Sequence, residues 1–262
     1  MAFHALHQSG CFVMPNPWDA GSARALAQLG FPALATTSSG SAWAMGHADN
    51  HLSLDQALAH LELIAGSVAL PINADFEGGF AVEPDGVAAS VTRAVETGVA
   101  GLSIEDSTGD AAHPLFDFDL SVRRVRAARA AIDRAGVPVV LTGRSEGFIV
   151  GRPDLKETVR RLTAYAEAGA DCLYAPGLSS MDDIRGVVQA AAPKPVNVLA
   201  RPSLTVEELS AAGVRRISIG GGFARTAWTG LLEAAHEVRE RGTFTAIGRA
   251  KTNAELNAQF MQ

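Results

Sequence analysis

Cysteine is scarce in this chain of 262 residues, with Cys11 and Cys172 the two present. Each lies inside an apolar run, and neither has a second Cys or a His at metal-ligand spacing. They read as buried, reduced thiols without a metal or catalytic role. Long blocks of like charge are missing too: 22 Lys and Arg against 28 Asp and Glu leave a net charge of −6 spread along the chain. That balance argues against nucleic acid or an anionic membrane surface as the main partner. No segment approaches ~18 uninterrupted apolar residues, and the opening MAFHALHQSGCFVMPNPWDA has neither a basic start before an apolar run nor a cleavage-site pattern. A cytoplasmic protein without a membrane anchor is expected. No linker, low-complexity segment or charge run divides the chain, so residues 1–262 are read as one domain with a C-terminal helical extension from about residue 243. The polar tail from Ala250, with its late Phe260 and Met261, is read as a docking helix or as partly disordered.

What the chain does have is one recurring unit. A helix-like stretch ends on glycine and an apolar strand follows within a few residues: QLGFPALATTS at Gly30, ETGVAGLSIED at Gly98, RAGVPVVLTGR at Gly136, EAGADCLYAPG at Gly169 and AAGVRRISIGG at Gly213. Glycine takes the left-handed conformation just past a helix end at no side-chain cost, and a short loop then feeds the strand. Adding CFVMPNP, the run from Leu70 to Asp75 and KPVNVLA brings the strands to eight. Amphipathic Ala-rich segments lie between them, among them Leu54 to Ala65, Ser121 to Ala135, Leu155 to Ala168 and Trp228 to Arg241. Eight alternations in this length predict an α/β fold, a parallel eight-stranded (β/α)₈ TIM-type barrel, with an open doubly wound sheet as the alternative.

In such a barrel the functional groups sit where the strands end. Here the ends are polar: Asn16-Pro17-Trp18-Asp19, Thr36-Thr37-Ser38-Ser39, Asp75-Phe76-Glu77, Glu105-Asp106, Arg144-Ser145-Glu146, Tyr174, Asn197 and Gly220-Gly221-Gly222. Asp75 and Glu77, two apart on a strand, share a face, and Glu105 ends the next strand, roughly 5 Å away. Three bare carboxylates raise one another's pKa values, and a hard divalent cation removes that repulsion; Mg²⁺, with Mn²⁺ as a substitute, is the expected cofactor. Singly, each acid could equally cap a helix or pair with an arginine. Arg144 can fork onto a substrate carboxylate or form a salt bridge to Glu146 or Glu105, and the two are compatible. Thr37, Ser38 and Ser39 offer donors to a developing oxyanion, and Asn197 and Trp18 complete the candidate substrate-binding set. Trp18, like Trp43 and Trp228, is read first as packing. The three consecutive glycines from Gly220 serve either a phosphate cradle or tight turning and close packing.

These residues together resemble the isocitrate lyase and phosphoenolpyruvate mutase superfamily over roughly residues 10 to 245. The resemblance rests on NPWDAGSA, His47-Ala48-Asp49, DFEGGF, GLSIED, GRSE and GVRRISIGGG. It implies Mg²⁺ held by Asp75, with Glu77, Glu105 and Asp49 near the metal or its waters, and Arg144 on the substrate carboxylate. Thr37 and Ser38 then meet the 2-oxo acid part of the substrate. It also implies a homo-oligomer, a dimer or tetramer, in which the last barrel helix is exchanged between subunits. The family's lyases carry an acidic cysteine on a mobile loop after strand four. The corresponding STGDAAHPLFDFD has no Cys or Lys, and His113 falls at the cysteine's position.

The resemblance therefore implies a Mg²⁺-dependent carbon–carbon lyase of the oxaloacetate decarboxylase kind, working through a metal-stabilised pyruvate enolate on a small 2-oxo or 2-hydroxy dicarboxylic acid. Arg144, Glu105 and Asp49 form the catalytic set, with Tyr174 and His113 the candidates for protonating the enolate. The alternatives are P–C bond cleavage of a phosphonopyruvate-like substrate and a non-catalytic protein that binds 2-oxo acids.

Overall fold

The computed structural model describes residues 2–261. Its eight strands are Phe12–Met14 (β1), Leu34–Ala35 (β2), Ile72–Asp75 (β3), Gly101–Glu105 (β4), Val140–Arg144 (β5), Cys172–Tyr174 (β6), Val196–Leu199 (β7) and Arg216–Ser218 (β8). Ahead of and between them run helices Ala2–Leu6 (α1), Ala20–Gln28 (α2), Ser38–Ala44 (α3), Leu54–Ser67 (α4), Pro84–Glu96 (α5), Phe118–Ala135 (α6), Leu155–Glu167 (α7), Met181–Ala191 (α8) and Val206–Ala211 (α9). Gly222–Arg241 (α10) and Asn253–Phe260 (α11) complete the chain. All strand pairs are parallel in the order β1-β8-β7-β6-β5-β4-β3-β2, and Ala35 N–H donates to the Pro15 carbonyl at 3.0 Å to bring β2 against the end of β1. The result is the (β/α)₈ barrel that the eight alternations predict.

Local chemistry sets the boundaries. All five turn glycines picked out by the recurring unit lie in the left-handed region, with φ from +69° at Gly136 to +106° at Gly169. Ser53 and Gln56 form a reciprocal capping box that starts α4, and Pro84 opens α5 at a position that needs no N–H donor. Alternation along the strands then divides the barrel. Ile72, Ala74, Leu102, Ile104, Leu141, Leu173, Val196, Val198 and Ile217 face outward into the apolar core shared with the helices. Their inward neighbours are Asn73, Asp75, Ser103, Arg144, Tyr174, Asn197, Arg216 and Ser218, all lining one cavity. The barrel interior is thus polar rather than filled with branched apolar side chains.

The opposite end of the barrel is sealed by α1. Phe3 packs there with Phe12, Met14, Ala33, Ala35, Val140 and Cys172. Gly101 makes room for it, since a Cβ at that position would lie 2.6 Å from the Phe3 ring and 2.7 Å from Asn73 Oδ1. Helix α10 behaves differently from the others. Of its 20 residues only Ala224 and Glu237 are buried, and Leu231 and Leu232 are more than half exposed. The tail read as a docking helix or disorder forms α11, which packs on α2, where Gln28 Nε2 donates to the Gln259 carbonyl at 2.5 Å. Among the described residues no helix is long and apolar enough to cross a membrane.

Candidate active site

The carboxyl ends of β3, β4 and β5 meet on one guanidinium. Parallel register sets Glu105 beside Arg144 and Arg144 beside Tyr174, so the three side chains share the barrel mouth. Arg144 Nη1 lies 2.9 Å from Asp75 Oδ1 and 3.1 Å from Glu105 Oε2, and Nε lies 2.5 Å from Glu146 Oε1. Among the described residues its Nη2 donates to no protein acceptor, and its Cζ sits 5.3 Å from the centre of the Tyr174 ring. The ion pair and the ligand-binding role foreseen for Arg144 are therefore geometrically compatible, because one edge of the fork is still free.

Asp75 is fixed from the other side as well. The Ser38 N–H, at the start of α3, donates to Asp75 Oδ2 at 3.0 Å, and the Asp75 N–H donates to Thr36 Oγ1 at 2.9 Å. Thr37 caps the same helix, and its hydroxyl shares a hydrogen bond with Ser39 Oγ at 3.1 Å. Gly221, following β8, approaches this turn so closely that a Cβ would lie 2.7 Å from Ser39 Oγ. Close packing therefore requires this glycine, one of the two uses foreseen for the run. The resulting cavity measures about 160 Å³ and also takes in Asn16, Asp49, Tyr174, Asn197 and Arg216.

Charge is unevenly distributed there. Burial opposes charge on Arg144, but Glu105, Glu146 and Asp75 outweigh it and hold the guanidinium protonated well above its ordinary value. Burial drives Glu105 well above the usual carboxylate range, with Arg144 pulling the other way. Burial likewise lifts Glu77 to about 7, reinforced by Asp75 and Asp49, and raises Asp49, reinforced by Asp75. Three carboxylates thus contact one cation, and Glu77 and Asp49 lie near enough to feel its charge. Burial also pushes the Tyr174 phenol up to about 12, so it keeps its proton at neutral pH.

Two site expectations need correction. Asp75 and Glu77 do not share a strand face, because β3 stops at Asp75 and Glu77 adopts a left-handed backbone with φ +47°. The reversal turns the Glu77 backbone so that its carbonyl accepts from the Glu105 N–H at 3.0 Å, and Glu77 and Glu105 both line a cleft next to the cavity that holds Asp75 and Arg144. Nor do Asp75, Glu77 and Glu105 form a cage: among the described residues no three His, Cys, Asp or Glu side chains gather closely enough to hold an ion by themselves. The donor set nevertheless suits Mg²⁺, which takes one or two carboxylates directly and fills its shell with water and substrate oxygens. The carboxylate excess, with Glu77 and Asp49 both driven toward their neutral forms, is the electrostatic environment that a divalent cation relieves.

Two more candidates lie outside the cavity. His113 is carried on the exposed loop between β4 and α6, its side chain 87 % exposed and 3.3 Å from Asp110. Trp18 lines an apolar groove with Phe223 and Phe260. Sequence reasoning missed Asn16, whose Oδ1 accepts from the Ile219 and Gly220 N–H groups at 2.8 Å each and so ties β1 to the turn after β8. It also missed the role of Asp106, which holds Glu146 N–H at 2.7 Å, Tyr165 Oη at 2.6 Å and Arg161 Nη1 at 3.1 Å. The available signal was position, since both stand among the polar residues at strand ends. Arg216 is the third, and RRISI marks it as an inward residue by alternation.

Comparison with known proteins follows the same lines. A protein from Burkholderia cenocepacia J2315, provisionally assigned as a lyase/mutase, superposes with a TM-score of 0.96 at 45% identity, covering 100% of this chain and 95% of that one. An oxaloacetate decarboxylase of Bradyrhizobium diazoefficiens is 28% identical over 269 residues, covering 97% of this chain and 88% of the relative. A phosphonopyruvate hydrolase crystallised with oxalate and Mg²⁺ superposes with a TM-score of 0.87 at 25% identity, covering 99% and 94%. The family model described as phosphoenolpyruvate phosphomutase matches residues 3–239. With that match spanning the whole barrel, the chain belongs to the phosphoenolpyruvate phosphomutase family, within the PEP mutase/isocitrate lyase superfamily of enzymes.

Proposed function

We propose that the protein is a Mg²⁺-dependent lyase acting on a small 2-oxo or 2-hydroxy dicarboxylic acid, with decarboxylation of oxaloacetate the reaction that fits best. The observation that carries this reading is Arg144, held charged by three carboxylates yet with Nη2 free at the mouth of a cavity sized for a few-carbon acid. Asp75, with Glu77, Glu105 and Asp49 near the ion or its waters, would hold Mg²⁺, which would supply Lewis-acid withdrawal of electron density from the keto group of a bound substrate. Arg144 Nη2 takes the adjacent carboxylate and fixes its plane. Thr37 and Ser39 share one hydrogen bond between two hydroxyls, which leaves one O–H to turn toward the keto oxygen as charge develops.

The C3–C4 bond then breaks, CO₂ departs, and its electron pair delocalises onto the keto oxygen as an enolate. No general base is needed. Tyr174 holds a proton at neutral pH beside Arg144 and returns it to C3, recovering one from solvent. The test is Asp75→Ala assayed for oxaloacetate loss and pyruvate release with Mg²⁺. The expected result is a fall to the rate of the metal alone, and turnover that stays above that rate refutes the site assignment.

The hydrolase neighbour bound to oxalate and Mg²⁺ favours a second reading, cleavage of a P–C bond in a phosphonopyruvate-like acid, which phosphate release would reveal. The exposed His113 on a loop without Cys or Lys favours a third, a protein that binds 2-oxo acids without turnover. The exposure of α10 supports an assembly in which it packs on a partner subunit, in a dimer or tetramer.

A further inference from the structure

Behind the loops that follow β3 and β4, an arginine is buried without an acid beside it. Arg124, on α6, is 1 % exposed, and among the described residues no carboxylate lies within salt-bridge distance of it. A buried charge is ordinarily paired, and this one is held by backbone instead. Nη1 donates to the Ala81 and Val82 carbonyls at 2.5 and 2.6 Å, and Nη2 donates to the Gly78 carbonyl. All three carbonyls belong to the loop between β3 and α5. The face of the guanidinium is covered by the Phe116 ring, whose centre lies 4.0 Å from Cζ. Phe116 belongs to the loop after β4, so a single side chain grips both loops.

The loop from β3 needs such a grip. Glu77 and Phe80 have φ of +47° and +56°, in the left-handed region that L side chains disfavour, and Gly79 between them has +73°. Residues in that region persist where their surroundings over-determine them. Here the Gly79 N–H closes a turn onto the Phe76 carbonyl at 2.9 Å, Ser90 Oγ donates to the Gly79 carbonyl at 2.5 Å, and Arg124 takes the carbonyls of residues 78, 81 and 82. A Cβ on Gly78 would lie 3.1 Å from Arg124 Nη2 and 3.5 Å from the Ser107 carbonyl oxygen, so the two loops meet over the guanidinium. Glu77 directly precedes that glycine, and it lines one cleft with Glu105 and Arg124. Arg124 forms an ion pair with neither acid, so its hold on Glu77 passes through the backbone.

We propose that Arg124 is a positioning residue for the cation site: by holding the carbonyls of residues 78, 81 and 82, it keeps Glu77 in the left-handed turn from which its carboxylate serves the ion or its waters. This rests on the reading of Asp75, Glu77, Glu105 and Asp49 as the surroundings of a divalent cation, and it adds the residue that sets one of them. A guanidinium suits the task. Its fork reaches two carbonyls with Nη1 and a third with Nη2, its plane offers a face to Phe116, and it stays charged when buried. A lysine supplies the charge and some of the hydrogen bonds but neither the fork nor the stacked face.

The experiment measures Mn²⁺ binding to the full chain through the electron paramagnetic resonance signal of the free ion, for wild type, Arg124→Met, Glu77→Gln and the double variant, with Arg124→Lys as the conservative change. Arg124→Met should weaken Mn²⁺ binding about 10-fold or more, and Arg124→Lys should lose less. The double variant should bind no more weakly than the weaker single variant, because both changes remove the same carboxylate from the ion, whereas a general loosening of the barrel mouth makes the two losses multiply. Should Arg124→Met fail to fold, Arg124→Gln takes its place in the cycle. Mn²⁺ affinity within about twofold of wild type in the Arg124 variant, or losses that multiply, overturns the role of Arg124 and leaves the cation site standing. A wild type that does not bind Mn²⁺ overturns the cation site and the role of Arg124 with it.

Discussion

Asp106 offers the sharpest test of how the site is held in place. It is 1 % exposed, and its two oxygens serve three donors: Arg161 Nη1, Tyr165 Oη and the Glu146 N–H. Asp106→Ala strands the buried Arg161 together with the two neutral donors. Removing one member of a buried ion pair costs about 3–5 kcal/mol, and an orphaned neutral donor about 1–3 kcal/mol. Glu157, 2.8 Å from Arg161 Nε, still compensates part of the charge, so the total should remain near 3–5 kcal/mol. Glu146 also loses the anchor for its backbone, and through it the orientation of Arg144 Nε, so kcat/KM should fall by about 10–100-fold. Urea unfolding monitored by fluorescence and steady-state kinetics read the two effects separately. The double variant Asp106→Leu with Arg161→Met, which removes both charges, should recover part of the stability but not the activity. A loss below about 1 kcal/mol for Asp106→Ala, or a double variant no more stable than the single, refutes the reasoning.

Two further outcomes follow from the C-terminal region. The Glu237 carboxylate accepts from Thr243 Oγ1 at 2.6 Å and from the Thr245 and Ala246 N–H groups at 2.8 and 2.9 Å, which together hold it down at about 2. Its folded value lies below the ordinary 4.5, so this latch stabilises the turn above pH 4.5 and is lost as pH falls through about 2. Amide exchange at residues 245 and 246 should be slow in wild type at neutral pH and fast in Glu237→Gln, and slow exchange in the variant would show that the latch is not formed. The exposed Leu231 and Leu232 of α10 should make the chain sediment as a dimer or tetramer at micromolar concentration and shift toward monomer when both become Asp. A wild type that sediments as a monomer removes the exchange of α10 between subunits.

The legible part of this molecule is what local chemistry decides. The turn glycines required a left-handed backbone and have it, and outward apolar strand residues such as Leu102 and Ile104 required burial against helices. Arg144 with Glu105 and Glu146 was readable because parallel register aligns strand ends. Glu77 was misplaced because a period of two holds only while the strand lasts, and a left-handed Glu is not announced by its side chain. The placement of Arg216 was hidden for a different reason. Its partners come from β5, from β7 and from a histidine more than two hundred residues earlier, a juxtaposition that exists only once the barrel closes over α1.

The loop after β4 is tied at both ends to residues that position the site. Ser107 bridges to Leu115, and Phe116 donates its N–H to the Asp106 carbonyl and accepts from Arg161 Nη2 at 3.1 Å. Both feet of the loop are therefore pinned to the Asp106–Arg161 network that orients Glu146 and, through it, Arg144. His113 extends from this loop into solvent, while Tyr174 holds its proton inside the cavity. A proton delivered from the barrel wall does not need the loop to close, whereas one delivered by the loop does. Crosslinking the loop open, between cysteines placed at exposed positions on it and on the facing surface, should thus leave both substrate entry and the single-turnover rate of proton return unchanged. A collapse of that single-turnover rate would mean that the loop, and not Tyr174, carries the proton.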